Sequence, residues 1–401
     1  MPSIDFEALG PWVDLSENAR LMLTRPEKQI VLNLSVHLGN EDLLMTDCYV
    51  VLQNSARGPA KGGIRLAPNV TMAETRDLAE RMVWKTALVG IPFGGGKSGI
   101  RLDPAALSSH ARVAMFKEYV HILKHELMSG TYVPAPDLGT GPSDMAVIYG
   151  ETHLLESVTG KPPRVGGLPG RHEATGRGVA AAAQLALRTI LHLDVAGSTV
   201  AIQGFGNVGG HAALFLHEAG AKVVALSDVA GGLHSEGGLD IPQLLDHARQ
   251  RRSLAEAGQG DAVSNRELLA LPVDVLVPCA VENVLTAETA PAVCAKLIVE
   301  GANGPTTPEA DRIFAEAGLP LVPDILANAG GVIASYIEWR SAKSGSITRK
   351  ADVYADIEKL IGETFQAVRT LAEEHRTTLR RAAEVLAVRE VLEAMRERGW
   401  V

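Results

Sequence analysis

Four residues with small, stiff surroundings are placed to do chemistry. Lys61 sits in Gly58-Pro-Ala-Lys-Gly-Gly-Ile-Arg65, and Lys85 ends Met82-Val-Trp-Lys85. Lys97 sits in Pro92-Phe-Gly-Gly-Gly-Lys97-Ser-Gly, and Asp137 in Ala135-Pro-Asp137-Leu-Gly. Flanking glycines remove side-chain bulk, so an ammonium there can be partly buried and closely approached. Two lysines would hold a dicarboxylate through charge-assisted hydrogen bonds. A third, desolvated and crowded by like charge, would lose proton affinity and could serve as a general base. Taken singly, each lysine also reads as a solvated charge, Lys85 on its helix most of all. The residue types suggest this chemistry without assigning roles.

A second motif binds something different. Gly204-Phe205-Gly206-Asn207-Val208-Gly209 fits G-x-G-x-x-G, a weak signal alone in a chain with 40 glycines. Its context strengthens it: Thr199–Gln203 before it is strand-like, His211–Ala219 after it is helical, and a second strand-like run ends in Asp228. Gly204 would permit the tight turn, Gly206 the approach of a pyrophosphate, and Gly209 the packing of helix on strand. The helix N-terminus then offers unpaired N–H groups to phosphate. Asp228 is placed to meet the adenosine ribose. An acid there favours NAD, while Ser227 and the nearby turn leave NADP open.

The elements that must position these residues read as follows. Residues 1 to about 40 look helical, with apolar positions at Leu21, Ile30, Leu34 and Leu38. Cys48–Leu52 is a short strand, and Gly58–Asn69 is mostly loop. A helix from Thr71 to Val89, capped by Thr71 and Glu74, ends at Pro92 and Gly94–Gly96. Another covers Ser109–Met128, followed by a loop over Val133–Thr140 held by two prolines. Val165–Gly170 reads as a hinge. Beyond it, helices (178–192, 207–219) alternate with strand-like runs (199–204, 222–227, 273–277, 297–300), which implies a parallel sheet covered on both faces. Residues 351–398 read as two amphipathic helices.

A chain of 401 residues suits two domains of moderate size. Its 46% hydrophobic and 21% charged composition is that of a folded soluble protein, and a net charge of −9 argues against a nucleic-acid surface. The three cysteines, Cys48, Cys279 and Cys294, show neither zinc-site nor disulfide spacing, so no metal is expected. There is no signal-like N-terminus and no long apolar run, so the expectation is a cytoplasmic protein without a membrane span.

The chain resembles the glutamate dehydrogenase family, within the wider glutamate/leucine/phenylalanine/valine dehydrogenases. The resemblance rests on GPAKGGIR (58–65), WK (84–85), PFGGGKSGI (92–100), PAPDLGTG (134–141), EATGRGV (173–179), IQGFGNVG (202–209), EGANGPTT (300–307) and NAGGVIASYIEW (328–339). It implies an α/β fold of two domains. Residues 1–170 would form a substrate-binding and oligomerisation domain, and 171–335 a Rossmann-type, doubly wound dinucleotide-binding domain. Residues 336–401 would be helices packing back on the first domain.

The resemblance also implies roles. Lys97 is similar to the lysine that activates water, and Asp137 to the acid that moves protons through the carbinolamine stage. Lys85 matches the lysine for the substrate α-carboxylate; Lys61 and Ser335 match the pair for the side-chain carboxylate. Thr175 and Asn207 match cofactor contacts, with Val208 inside the fingerprint, and Asn303 and Asn328 resemble residues at the nicotinamide end. The implied reaction is reversible conversion of L-glutamate to 2-oxoglutarate and ammonia with hydride transfer to NAD or NADP. The implied assembly is a homohexamer, or a hetero-oligomer with a paralogue. Ser98 and Leu66-Ala67 depart from the family pattern, and Lys343–Lys350 lacks its aromatic residues. Two other readings stay open: a regulatory subunit that modulates a catalytic paralogue, and a leucine- or phenylalanine-type dehydrogenase, which Lys61 opposes.

Overall fold

A computed structural model describes residues 4–39, 42–250 and 252–401. The chain forms two compact units. The first comprises Met1–Arg171, Ile333–Val353 and Glu384–Val401; the second comprises His172–Val332 and Tyr354–Ala383.

In the first unit, α1 (Glu17–Thr24) starts where the Ser16 hydroxyl accepts from the Ala19 N–H. The helix expected to run on toward residue 40 is instead β1 (Lys28–Gly39), paired antiparallel with β2 (Asp42–Asn54). Ile30 and Leu34 are four apart, which suits a helix, but Leu32 and Val36 complete a period of two. Val31, Asn33 and Ser35 accordingly face solvent while Leu34 and Val36 are buried. Two stretches read as loop are strands: β3 (Ala60–Leu66) lies in the Gly58–Asn69 segment, and β5 (Tyr132–Pro136) begins the proline-stiffened one. Between them lie α2 (Met72–Leu88), β4 (Gly94–Ile100), α3 (Ser109–Ile122) and α4 (Lys124–Met128), with α5 (Pro142–Thr152) following. The helix expected over 109–128 is thus broken at Leu123. The Thr71 hydroxyl caps α2 as expected, accepting from the Glu74 N–H at 3.2 Å.

The sheet order is β1-β2-β4-β3-β5. Glycine-rich β3 reads as loop, and the glycines of β4 as a helix stop, because glycine weakens strands, yet here close packing requires it. A Cβ on Gly62 would stand 1.6 Å from the Gly96 carbonyl oxygen, and one on Gly95 would stand 2.3 Å from the Ala79 oxygen of α2. On the opposite face, Leu34, Val50, Ile64 and Ile100 pack with Phe116, Tyr119 and Ile148 into the unit's apolar core.

The second unit holds a seven-stranded sheet ordered β12-β11-β10-β6-β7-β8-β9. It starts with α6 (Ala174–Thr189), β6 (Thr199–Gln203), α7 (Asn207–Glu218) and β7 (Lys222–Asp228), close to the expected pattern. An antiparallel pair not expected from sequence, β8 (Gly231–His234) and β9 (Asp261–Val263), brackets α8 (Ile241–Arg249). Then come α9 (Asn265–Leu269), β10 (Val275–Pro278), β11 (Leu297–Val299), α10 (Pro308–Glu316), β12 (Leu321–Val322) and α11 (Asp324–Ala327). Strands β12, β11, β10, β6 and β7 run parallel. Because β6 has β10 on one side and β7 on the other, the strand order reverses at β6, where doubly wound sheets bind ligands.

Three helices close the chain: α12 (Gly330–Ser344), α13 (Lys350–His375) and α14 (Leu379–Glu397). The segment expected to return as one block to the first domain divides instead. Tyr354–Ala383 belongs to the second unit, where Arg177 lies over the Tyr354 ring and Arg380 pairs with Glu300 at 2.7 Å. Glu384–Val401 belongs to the first, where Arg389 donates to the Trp12 carbonyl and Arg57 pairs with Glu390. Among the described residues no helix is long and apolar enough to cross a membrane.

Candidate active site

Strand alternation puts the chemistry of the first unit on one face of its sheet. Lys61 pairs with Gly95 and Arg65 with Gly99 in parallel register, so Lys61, Arg65 and Lys97 all project toward α2. Glycines between and opposite them let α2 and Asp137 close directly over the sheet. Asp137 follows directly on β5, and a Cβ on Gly63 would stand 2.6 Å from its own Cβ.

Lys97 is 6% exposed, and its Nζ donates to Asp137 Oδ2 at 2.5 Å. The same oxygen accepts from Arg65 Nε at 3.3 Å, and Arg65 is held in turn by Glu74 in the first turn of α2. Burial opposes the charged carboxylate of Asp137, but the Lys97 ammonium and then the Arg65 guanidinium outweigh it and hold the group down to about 2. Lys97 and Asp137 are therefore an ion pair in this state.

Lys61 is 1% exposed. Burial lowers its proton affinity well below the usual lysine range; Arg171, Lys97 and Lys161 add to this, and Glu338 opposes it. Glu338, however, is already committed: it accepts from Lys161 Nζ at 2.7 Å and from the backbone of Gly160 and Lys161. Arg171 Nε is buried without a hydrogen-bond partner among the described residues. Lys61 and Arg171 thus lie in a cationic environment suited to an added anion. Sequence reasoning missed Arg171, Glu338 and Lys161. The signal available for Arg171 is its place directly after Val165–Gly170, which reads as a hinge.

Lys85 lies in the last turn of α2 and is buried, against the bland reading of a solvated helix charge. Ser335 is buried on α12, one turn before Glu338. The aromatic pairs of Phe93 with Tyr336 and Trp339 hold this part of α12 against the turn that leads into β4. Ser98, beside Lys97, projects to the other face. Its hydroxyl lies 2.8 Å from that of Tyr119 and donates to that of Tyr132 at 2.9 Å, and Tyr132 donates to the Gly62 carbonyl. These buried hydroxyls are mutually satisfied, so the departure at Ser98 is accommodated behind the sheet and away from Lys97.

The second unit carries the dinucleotide signature. Gly204 has φ +95°, and a Cβ on Gly209 would stand 1.9 Å from the Gly204 carbonyl oxygen, so the turn and the helix contact both demand glycine. Gly206, the N-cap of α7, would have nothing within 4 Å of an added Cβ, which leaves its approach open. Val208 follows in the first turn of α7, and Asn207 Nδ2 donates to the His172 carbonyl. Thr175 is half-buried in the first turn of α6. Asp228 ends β7 and is held in place as its two oxygens accept from the N–H groups of Ala230 and Leu254, both at 2.7 Å. Asn328 Nδ2 donates to Gly301, Ala302 and the Asn303 side chain, while its buried Oδ1 has no partner among the described residues. A donor-bearing ligand would satisfy it. Residues Gly204–Gly209, Asp228, Asn303 and Asn328 therefore fit NAD or NADP. Among the described residues no group of three or more His, Cys, Asp or Glu could hold a metal ion.

A Rossmann-type unit with this turn, joined to a mixed-sheet unit with buried lysines, defines a two-unit nicotinamide-dependent dehydrogenase. The chain belongs to the Glutamate/Leucine/Phenylalanine/Valine dehydrogenase family: residues 166–399 match that family and residues 26–154 match its Glu/Leu/Phe/Val dehydrogenase, dimerisation domain. It is 40% identical to a glutamate dehydrogenase of Thermotoga maritima, covering 98% of this chain and 96% of that one. It is 41% identical to an NADP-specific glutamate dehydrogenase of Saccharolobus shibatae, covering 98% and 94%. Among solved structures it is similar to the hetero-hexameric glutamate dehydrogenase of Thermus thermophilus in its Leu-bound form, with TM-score 0.92, 32% identity and coverage of 98% and 95%.

Proposed function

We propose that this chain catalyses the reversible oxidative deamination of L-glutamate to 2-oxoglutarate and ammonia. The observation that carries this reading is Lys61, a buried lysine whose charge is opposed by burial and by Arg171, Lys97 and Lys161, while Glu338, which favours that charge, is already paired with Lys161. A substrate with a carboxylate side chain supplies the missing charge. An apolar side chain would leave the ammonium uncompensated, at a cost of several kcal/mol, roughly. This argues against a leucine- or phenylalanine-type substrate.

In this reading Lys61 and Ser335 hold the side-chain carboxylate, and Lys85 holds the α-carboxylate. Both carboxylates anchored, the α-carbon is fixed where its amino group meets Lys97 and Asp137. Lys97, released from its ion pair, activates water for attack on the imino acid, and Asp137 carries protons to and from the nitrogen. The hydride acceptor in deamination is the nicotinamide of bound NAD or NADP. The Gly204–Gly209 turn takes the pyrophosphate, Asp228 the adenosine ribose, and Thr175, Asn207, Asn303 and Asn328 the remaining contacts. The fixed Asp228 carboxylate favours NAD.

The assembly we infer is a hexamer, of this chain alone or with a paralogue. The exposed apolar residues Val31 and Met45 on the β1–β2 hairpin suit an interface between copies. A reducing cytoplasm suits the three free cysteines.

The test is an assay of the purified chain for oxidation of NADH and of NADPH dependent on 2-oxoglutarate and ammonia, alone and with any paralogue. Turnover by the chain alone is expected. No turnover alone, with altered turnover when the paralogue is added, overturns the catalytic reading in favour of a regulatory subunit.

A further inference from the structure

Asp137 Oδ2 is shared by two cations, and only one of them, Lys97, has a task in the chemistry proposed above. For Lys97 to act on water it must leave the carboxylate. A half-buried carboxylate abandoned by its only counter-ion would hold that lysine back, since breaking such a pair strands a charge. Arg65 removes the difficulty. From β3, beside Gly99 of β4, its guanidinium reaches both Asp137 and Glu74. Glu74 is itself fixed at the start of α2 by the Thr71 cap. The contact is built from three elements: β3, α2 and the residue after β5.

We propose that Arg65 is a positioning residue that keeps the Asp137 carboxylate in place and compensated when Lys97 disengages, which allows the pair to separate within each turnover. This rests on the roles given to Lys97 and Asp137 in the preceding subsection. The charged groups facing Asp137 are Lys97 from β4, Arg65 from β3 and, through Arg65, Glu74 from α2, while the Tyr132 phenol of β5 lies behind the sheet with Ser98. Burial raises the Asp137 carboxyl while Lys97 and Arg65 lower it, so loss of Arg65 makes the carboxyl easier to protonate. Activity that needs the carboxylate would then fail at a higher pH on the acid side.

The experiment compares Arg65→Gln, Arg65→Lys and Glu74→Gln with the wild type at saturating dinucleotide. Arg65→Gln is expected to lower kcat on the order of 100-fold, the scale of a misplaced catalytic group. The glutamate KM stays within about threefold, because Lys61 and Lys85 still hold the substrate. The solvent deuterium isotope effect on kcat grows, and the acid limb of kcat/KM moves to higher pH. Arg65→Lys recovers part of kcat, and Glu74→Gln loses less than Arg65→Gln. A rise in KM with kcat unchanged, or an unmoved isotope effect and acid limb, overturns the proposal. A variant that fails to fold is recognised by its thermal melt, and Arg65→Lys with Glu74→Gln then decide on the same readouts. Should the wild type itself show no turnover, the proposed reaction fails on its own. Arg65 is then judged by the 13C carboxyl signal of Asp137, assigned with Asp137→Asn, which must titrate at higher pH in Arg65→Gln; an unmoved signal overturns the proposal.

Discussion

The two units prepare for negative charge in opposite ways. In the first, the cations are side chains: Lys61, Lys85 and Lys97 are all buried, and glycines in β3 and β4 let the neighbouring elements pack closely around them. In the second, the donors are backbone N–H groups at the start of α7, behind a turn whose glycines are demanded by φ and by helix contact. Buried ammonium groups must be desolvated and therefore select strongly for a ligand that repays the cost. Backbone donors carry no formal charge, are fixed by the helix, and accept a phosphate at little cost when empty. The first device suits discrimination between small substrates; the second suits a cofactor common to many reactions.

Separating these devices by mutation gives the largest effect at Lys97. Lys97→Ala is expected to lower kcat by at least the roughly 10²–10⁴-fold typical of a lost acid–base group. The dissociation constant of NADH, read by fluorescence titration, stays near that of the wild type, since the dinucleotide donors lie in the other unit. Turnover retained within tenfold would remove Lys97 from the chemistry.

Next comes Lys61→Leu, expected to raise the glutamate KM by about 100-fold while introducing measurable activity on leucine or norvaline. An unchanged glutamate KM would sink the carboxylate-pocket argument. In the second unit the matching change is Gly206→Ala. Its added methyl meets nothing within 4 Å in the protein, so the melting temperature is unaffected. In the proposed cofactor site it would stand where the pyrophosphate approaches, so the dinucleotide Kd is expected to rise about tenfold, a loss of roughly 1.4 kcal/mol. A melting temperature lowered with Kd unchanged would mean that this glycine serves folding alone.

The legibility of the two units in the sequence follows from the same contrast. The β6–α7–β7 unit was readable because its strand, turn and helix are contiguous and each glycine has a local job. The first unit was harder. Gly94–Gly96 read as a helix stop and Gly62–Gly63 as loop because the reason for those glycines, helix α2 and strand β5 lying against them, is remote in sequence. Lys28–Gly39 read as helix because apolar residues four apart satisfy both periods, and only the antiparallel partner β2 selects the strand. Lys61, Lys85, Lys97 and Asp137 are nameable as candidates from motif context. Arg65, Arg171 and Glu338 are not, since their meaning lies in what they face across the fold. Ser98 departs from the family pattern next to Lys97, but strand alternation turns it to the opposite face, where Tyr119 and Tyr132 receive it.

The smallest expected effect tests the contrast most directly. Backbone N–H groups do not titrate, whereas Lys61 gives up its proton more easily than an ordinary lysine, because burial and then Arg171 oppose its charge. A carboxylate brought against Lys61 favours the charged form and raises its proton affinity. Below the free-state pKa the lysine is already charged and binding moves no proton. Between the free-state and bound-state values, binding takes up part of a proton, and affinity falls as pH rises through that window. Calorimetric titration of 2-oxoglutarate without dinucleotide, in buffers of different ionisation enthalpy over a series of pH values, measures this uptake directly. A slope that appears only on the alkaline side and vanishes in Lys61→Leu is expected, while dinucleotide binding gives none attributable to this lysine. A zero slope at every pH would mean that Lys61 keeps its charge throughout, and the contrast between a titrating pocket and a fixed backbone cradle would fail.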